Sequence, residues 1–173
     1  LNVLGEDKSG NYEISYVNGA LTVNKRPVQF TSDGAERVYD GTSLECTNKP
    51  RTTAGTLADG HDYTPNFTVK VVEAGERDNE FTVRIADGNG ADKTENYAVD
   101  CVYGKLIISK RPVTIQTGSD QKVYDGYALT CADEADYTVV VGSAAEGQTL
   151  RYADAASIVD FGIKENTVTV YVT

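Results

Sequence analysis

Residues 11–28, NYEISYVNGALTVNKRPV, return 85 residues later as NYAVDCVYGKLIISKRPV at 96–113. Over 11–30 against 96–115, nine of twenty positions are identical: Asn11, Tyr12, Val17, Gly19, Leu21, Lys25, Arg26, Pro27 and Val28 in the first copy. The same offset carries Tyr39-Asp40-Gly41 onto Tyr124-Asp125-Gly126, and Cys46 onto Cys131. Further on the offset becomes 87, where Asn79, Phe81, Val83 and Ile85 meet Asn166, Val168, Val170 and Val172. An internal period of this length means that one small unit is used more than once, so the 173 residues read as repeats rather than one domain.

Inside each copy apolar side chains alternate: Tyr12, Ile14, Tyr16; Leu21, Val23; Val28, Phe30; Phe67, Val69, Val71; Phe81, Val83, Ile85. A period of two is the mark of half-buried strands. Asn18-Gly19, Asp40-Gly41, Asp59-Gly60, Asp87-Gly88 and Asn89-Gly90 punctuate them, and such pairs supply the positive φ of tight turns. The expected fold is mostly β, in tandem small antiparallel modules of β-sandwich or β-grasp-like form. One short helix per module stays open, with Ala-rich Ser143 to Ala156 as its place. Sixteen Gly and 11 Tyr with no Trp or Met agree with strands and turns.

In Lys25-Arg26-Pro27 and Lys110-Arg111-Pro112 the proline fixes φ and holds the preceding arginine extended. That suits a stiff crossing between modules, or a proline opening an edge strand behind two solvated cations. Sixteen basic against 26 acidic side chains give a net charge of −10, which repels phosphate backbones and anionic membranes. Neither nucleic acid nor membrane insertion is therefore expected. The chain starts without Met, carries no targeting signal and opens inside a repeat, so it reads as part of a longer polypeptide.

The combination of Asn11-Tyr12, Gly19, Lys25 to Val28 and Val38-Tyr39-Asp40-Gly41, with its second occurrence at Asn96-Tyr97, Gly104, Lys110 to Val113 and Val123-Tyr124-Asp125-Gly126, resembles the bacterial MBG and YDG-type repeats. Those repeats occur in tandem in large secreted and surface-anchored proteins. The resemblance implies an extracellular, bacterial cell-surface spacer of an adhesin-like protein, with no active site. It also implies a frame: residues 1–26 close a preceding repeat as a hairpin, 27–111 form a complete MBG-like repeat, and 112–173 open a following one. The partners are then neighbouring repeats of the same chain. An exposed edge in 112–173 could accept the N-terminal hairpin of another molecule, giving head-to-tail self-association by strand exchange. The alternative frame makes 1–86 and 87–173 two complete repeats.

Secreted chains tend to pair their thiols. The first frame puts Cys46 and Cys101 in one module, and the second pairs Cys101 with Cys131; three reduced thiols buried in strands are the plain alternative. The loop from Asp87 to Glu95 offers oxygen ligands at Asp87, Asn89 and Asp92, for which calcium is the matching cation, against a solvated turn and no cofactor. His61, the one histidine, sits in a turn, and making it the base of a Cys46 nucleophile needs geometry that sequence does not give. Catalysis is not expected. Tyr39 and Tyr124 recur and read as packing over their own turns, where Asp40 and Asp125 accept backbone donors. Tyr63, Tyr103, Tyr127, Tyr137, Tyr152 and Tyr171 have no aligned tyrosine. Among them Tyr103 and Tyr127 are the candidates for contact with a host glycan, mucin or matrix protein, because aromatic rings stack on sugar faces.

Overall fold

The computed structural model describes residues 7–173, so the first six residues of the 1–26 segment and of the 1–86 frame lie outside the described residues. The chain is mostly β. From the N-terminal side the strands are β1 (Arg26–Thr31), β2 (Ala35–Val38), β3 (Arg51–Gly55), β4 (Asp62–Phe67), β5 (Gly75–Asp78), β6 (Phe81–Ala86), β7 (Tyr97–Val102) and β8 (Lys105–Ser109). They are followed by β9 (Thr114–Thr117), β10 (Leu129–Thr130), β11 (Tyr137–Val141), β12 (Leu150–Ala153), β13 (Ser157–Ile158) and β14 (Thr169–Val172).

Two three-stranded sheets and one ribbon organise residues 26–109. In the order β3-β1-β7, the central β1 runs antiparallel to β3 and parallel to β7, from Arg26 opposite Tyr97 to Thr31 opposite Val102. In the order β2-β8-β5, the central β8 is parallel to β2 and antiparallel to β5. β4 and β6 form an antiparallel ribbon from Asp62–Ala86 to Phe67–Phe81. Alternation of side chains then fills two apolar clusters. Val28, Phe30, Phe81, Ile85 and Tyr97 build one; Leu44, Val71, Leu106 and Ile108 build the other. Burying an aliphatic or aromatic side chain contributes roughly 1.5–3 kcal/mol, so these clusters are what hold the strands together.

The pairings correct several expectations. Two of the ladders are parallel, because alternation says which face a residue takes but not the direction of its partner strand. β7 and β8 are consecutive, yet they enter different sheets and do not pair with each other, so the pattern shared with 11–26 is a step between two sheets rather than a hairpin. Pro27 lies in a central strand, not an edge; the β1–β3 ladder starts one residue later, at Val28–Gly55, which leaves the proline outside it. Among the described residues there is no α-helix, only 3-10 turns at Ser9–Asn11, Thr94–Asn96 and Glu134–Asp136. The Ala-rich stretch from Ser143 instead makes a turn closed by Gln148 N–H donating to Ala145 O (3.0 Å), with positive φ at Gly147, and then enters β12. Residues 12–25 alternate but form no strand; their side chains are exposed, and no ladder holds them.

Residues 111–173 reuse part of this scheme. β9 pairs β11 as β1 pairs β3, and β12 pairs β14 as β4 pairs β6. The isolated Leu44–Val71 bridge has its counterpart in the Leu129–Ile158 pair of β10 and β13. The buried Asn79 amide donates to Asp33 O and Cys46 O, both at 2.9 Å, and Asn166 donates to Gly118 O at 3.0 Å. A polar residue in an apolar alternation is placed here by the two carbonyls it satisfies. Asn79→Ala leaves both without a donor inside the fold, a loss of about 2–3 kcal/mol; Asn166→Ala, with one such bond, loses less. Thermal unfolding of the two variants measures the difference.

Candidate functional site

The KRP and YDG motifs meet where residues 26–109 adjoin 111–173. The Arg26 guanidinium donates from Nε to Thr56 O at 2.7 Å and from Nη2 to Thr56 Oγ1 at 2.6 Å. Arg111 repeats this with Ser143, from Nε to the carbonyl at 2.6 Å and from Nη2 to Oγ at 3.0 Å. A planar guanidinium suits such a two-point grip, and holding ψ extended before proline aims it. Arg111 also reaches back to Tyr39 O at 3.4 Å. The Tyr39 hydroxyl accepts from Gln148 Nε2 at 2.7 Å, across 109 residues of sequence, and Ala145 is buried beside Gly41. Tyr39 thus packs on the Leu106 cluster at one end and on the 143–148 turn at the other. It does more than cover its own turn. The cleft of about 430 Å³ at this joint is bordered by Tyr39, Lys110, Arg111, Val113 and Ala145.

The Asp-Gly turns form as the residue types require. Asp40 Oδ1 accepts from the Thr42 N–H and hydroxyl, both at 2.9 Å, and Arg37 lies 3.2 Å away; these hold its carboxyl below the usual range, the Thr42 amide most of all. Asp125 accepts from Lys122 at 2.7 Å and Tyr127 N–H at 3.0 Å, and the lysine leads in lowering its pKa. Gly41 and Gly126 take φ of 84° and 82°. Tyr124, the counterpart of Tyr39, is exposed. Lys25 is exposed next to Arg26.

The acidic loop spends its oxygens internally. Asp87 Oδ1 accepts the N–H groups of Asn89 and Ala91, both at 3.0 Å, while Lys93 approaches Oδ2 at 3.5 Å. Asp92 accepts from the Thr94 hydroxyl at 2.7 Å and its N–H at 2.9 Å, and meets Arg84 at 3.2 Å. These donors lower both carboxyl pKa values, with the Ala91 N–H first for Asp87 and the Thr94 hydroxyl first for Asp92. Among the described residues no group of three or more His, Cys, Asp or Glu gathers as a ligand set. A cation would have to displace a lysine, an arginine and four turn hydrogen bonds. The melting temperature is therefore expected to stay unmoved by millimolar calcium or by chelator, as differential scanning calorimetry would record.

The three cysteines are free thiols and half-buried. Cys101 packs against the Phe30 cluster and Cys46 against the Leu106 cluster, so the structure sends them to different cores. Burial, with Asp100 adding to it, pushes the Cys101 thiol up; Cys131 is likewise raised by burial, then by Asp136 and Asp120. His61 Nδ1 meets the Tyr97 hydroxyl at 2.7 Å, while Cys46 sits in the other cluster, so the two are not brought together. Tyr103 stands edge-on to Phe81 with centroids 5.7 Å apart, and Tyr127 lies exposed in the turn after Gly126. Thr56 and Gln148 escaped the sequence reading, and Ser143 entered it only as the start of the Ala-rich stretch; extending the 87-residue offset pairs Thr56 with Ser143, whereas the Gln148 contact has no repeat counterpart. No family model, curated protein or solved structure matches the chain.

Proposed function

We propose that this chain is a run of non-catalytic spacer repeats from an exported, adhesin-like protein of a bacterial cell surface, of the MBG and YDG kind that its motifs resemble. The reading takes 27–111 as the repeat, and the parallel ladders that tie 97–109 to 26–38 support that frame. The observation that carries the reading is the joint. The Arg26–Thr56 grip recurs as Arg111–Ser143, and Tyr39 crosses to Gln148. A joint built from motif residues passes the same geometry from one repeat to the next, which is what a spacer needs and what a catalytic site does not. The net charge of −10 keeps such a stalk hydrated.

A glycan, mucin and matrix-protein array separates spacer from binder. The spacer reading expects no signal above background for the 173-residue chain. Binding that falls with Tyr103→Ala or Tyr127→Ala would replace it with a tyrosine-based binding module.

A further inference from the structure

The C-terminal part of the chain has a cleft at the place where the N-terminal part has a strand. In residues 26–109, β8 lies between β2 and β5, and its Leu106 and Ile108, 0% and 2% exposed, pack on Leu44 and Val71. The counterparts of β2 and β5 are 120–123 and 162–165, and neither forms a strand. Between them opens a cleft of about 550 Å³, with Leu129, Ile158, Ile163, Gly118 and Asn166 in its wall. Leu129 and Ile158 pair as Leu44 and Val71 do. Leu129 and Ile158 thus give the otherwise largely polar cleft an apolar floor, and among the described residues no strand covers it.

A segment with the pattern of the covering strand lies at the other end. Residues 12–25 repeat the pattern of β7 and β8 yet have no ladder, and Leu21 and Val23, aligned with Leu106 and Ile108, are 103% and 97% exposed. We infer that the 11–26 segment of a second copy fills the 550 Å³ cleft, so that copies of this chain join head to tail. Register follows from the ladders of β1, β2, β5, β7 and β8: Ile14 comes opposite Val113, Leu21 between Asp120 and Lys164, and Val23 between Lys122 and Gly162.

Two substitutions between the copies fit the exchange. At position 104 a Cβ would strike the Asp33 backbone, and the incoming segment keeps glycine there as Gly19. Lys105 bridges Glu76 and Asp78 at 2.9 and 2.8 Å. In the proposed contact Ala20 replaces the lysine and Ile163 replaces Glu76, so a cation and one of its two anions leave together and an apolar pair takes their place.

The inference rests on the 27–111 repeat of the spacer reading, but the two fail separately: the array tests the spacer, and sedimentation tests the contact. Sedimentation velocity of the 173-residue chain from micromolar to several hundred micromolar should show a sedimentation coefficient that climbs with concentration. A Leu21→Asp/Val23→Asp chain, altered at exposed positions outside every strand, should stay monomeric, with association weakened roughly a hundredfold or more. A synthetic peptide of residues 11–26 should return the oligomers of the parent chain to monomers. A single monomeric species at the highest concentration overturns the proposal, as do oligomers that persist in the double variant or ignore the peptide.

Discussion

A Phe30→Ala chain is expected to lose about 3–5 kcal/mol of stability in residues 26–109, the range for removing a fully buried phenylalanine. Phe30 is 0% exposed in the central strand of its sheet, packs tilted against Tyr63 with centroids 4.4 Å apart, and shares a cluster with Phe81, Ile85 and Tyr97. Its removal leaves a cavity that four strands border and cannot close by moving together, because each is fixed by its own ladder. For a unit of this size each kcal/mol moves the melting temperature by roughly 4–8 °C, so a fall of at least about 12 °C should be read by calorimetry. A fall of only a few degrees would mean that the β3-β1-β7 sheet and the β4–β6 ribbon do not share this core.

Gly55→Ala should be comparably damaging, by about 3 kcal/mol or more, for a reason of backbone rather than core. Gly55 ends β3 with φ of 71°, a left-handed conformation that strains any residue with a Cβ. An added Cβ would also fall well inside contact distance of Pro27 O and 3.1 Å from Val28 Cα. The proline cannot retreat, since Arg26 before it is held on Thr56. Gly142 stands in the same relation to Pro112, with φ of 73°. Gly142→Ala should therefore destabilise residues 111–173 in the same way, whereas Gly90→Ala meets no neighbour and incurs only the backbone strain.

How much of this was legible in the sequence depends on whether the information is local. Alternation at Val28, Phe30, Phe81 and Ile85 named the core of the first cluster, and Asp40-Gly41 and Asp125-Gly126 named turns whose glycines do take positive φ. Strand direction and partner choice were not legible, because a period of two is the same in parallel and antiparallel ladders. Residues 12–23 show the limit most clearly. They carry the alternation of β7 and β8 but form no strand, since a strand exists only against a partner and alternation does not say which one. The joint was half legible: Lys110-Arg111-Pro112 and Tyr39 stood out as motifs, but the Tyr39–Gln148 contact joins residues 109 apart, and nothing local announces it.

The central claim is that the repeat closes at the second KRP step, through the parallel ladders of β7 with β1 and β8 with β2. The most direct measurement is a two-dimensional amide spectrum and thermal melt of residues 25–111 produced alone. The account predicts dispersed resonances, one cooperative transition, and close contacts of Val28 with Val99 and of Glu36 with Ile107. A collapsed, unfolded spectrum for 25–111 beside a folded fragment of residues 1–86 would contradict it and return the repeat to the other frame.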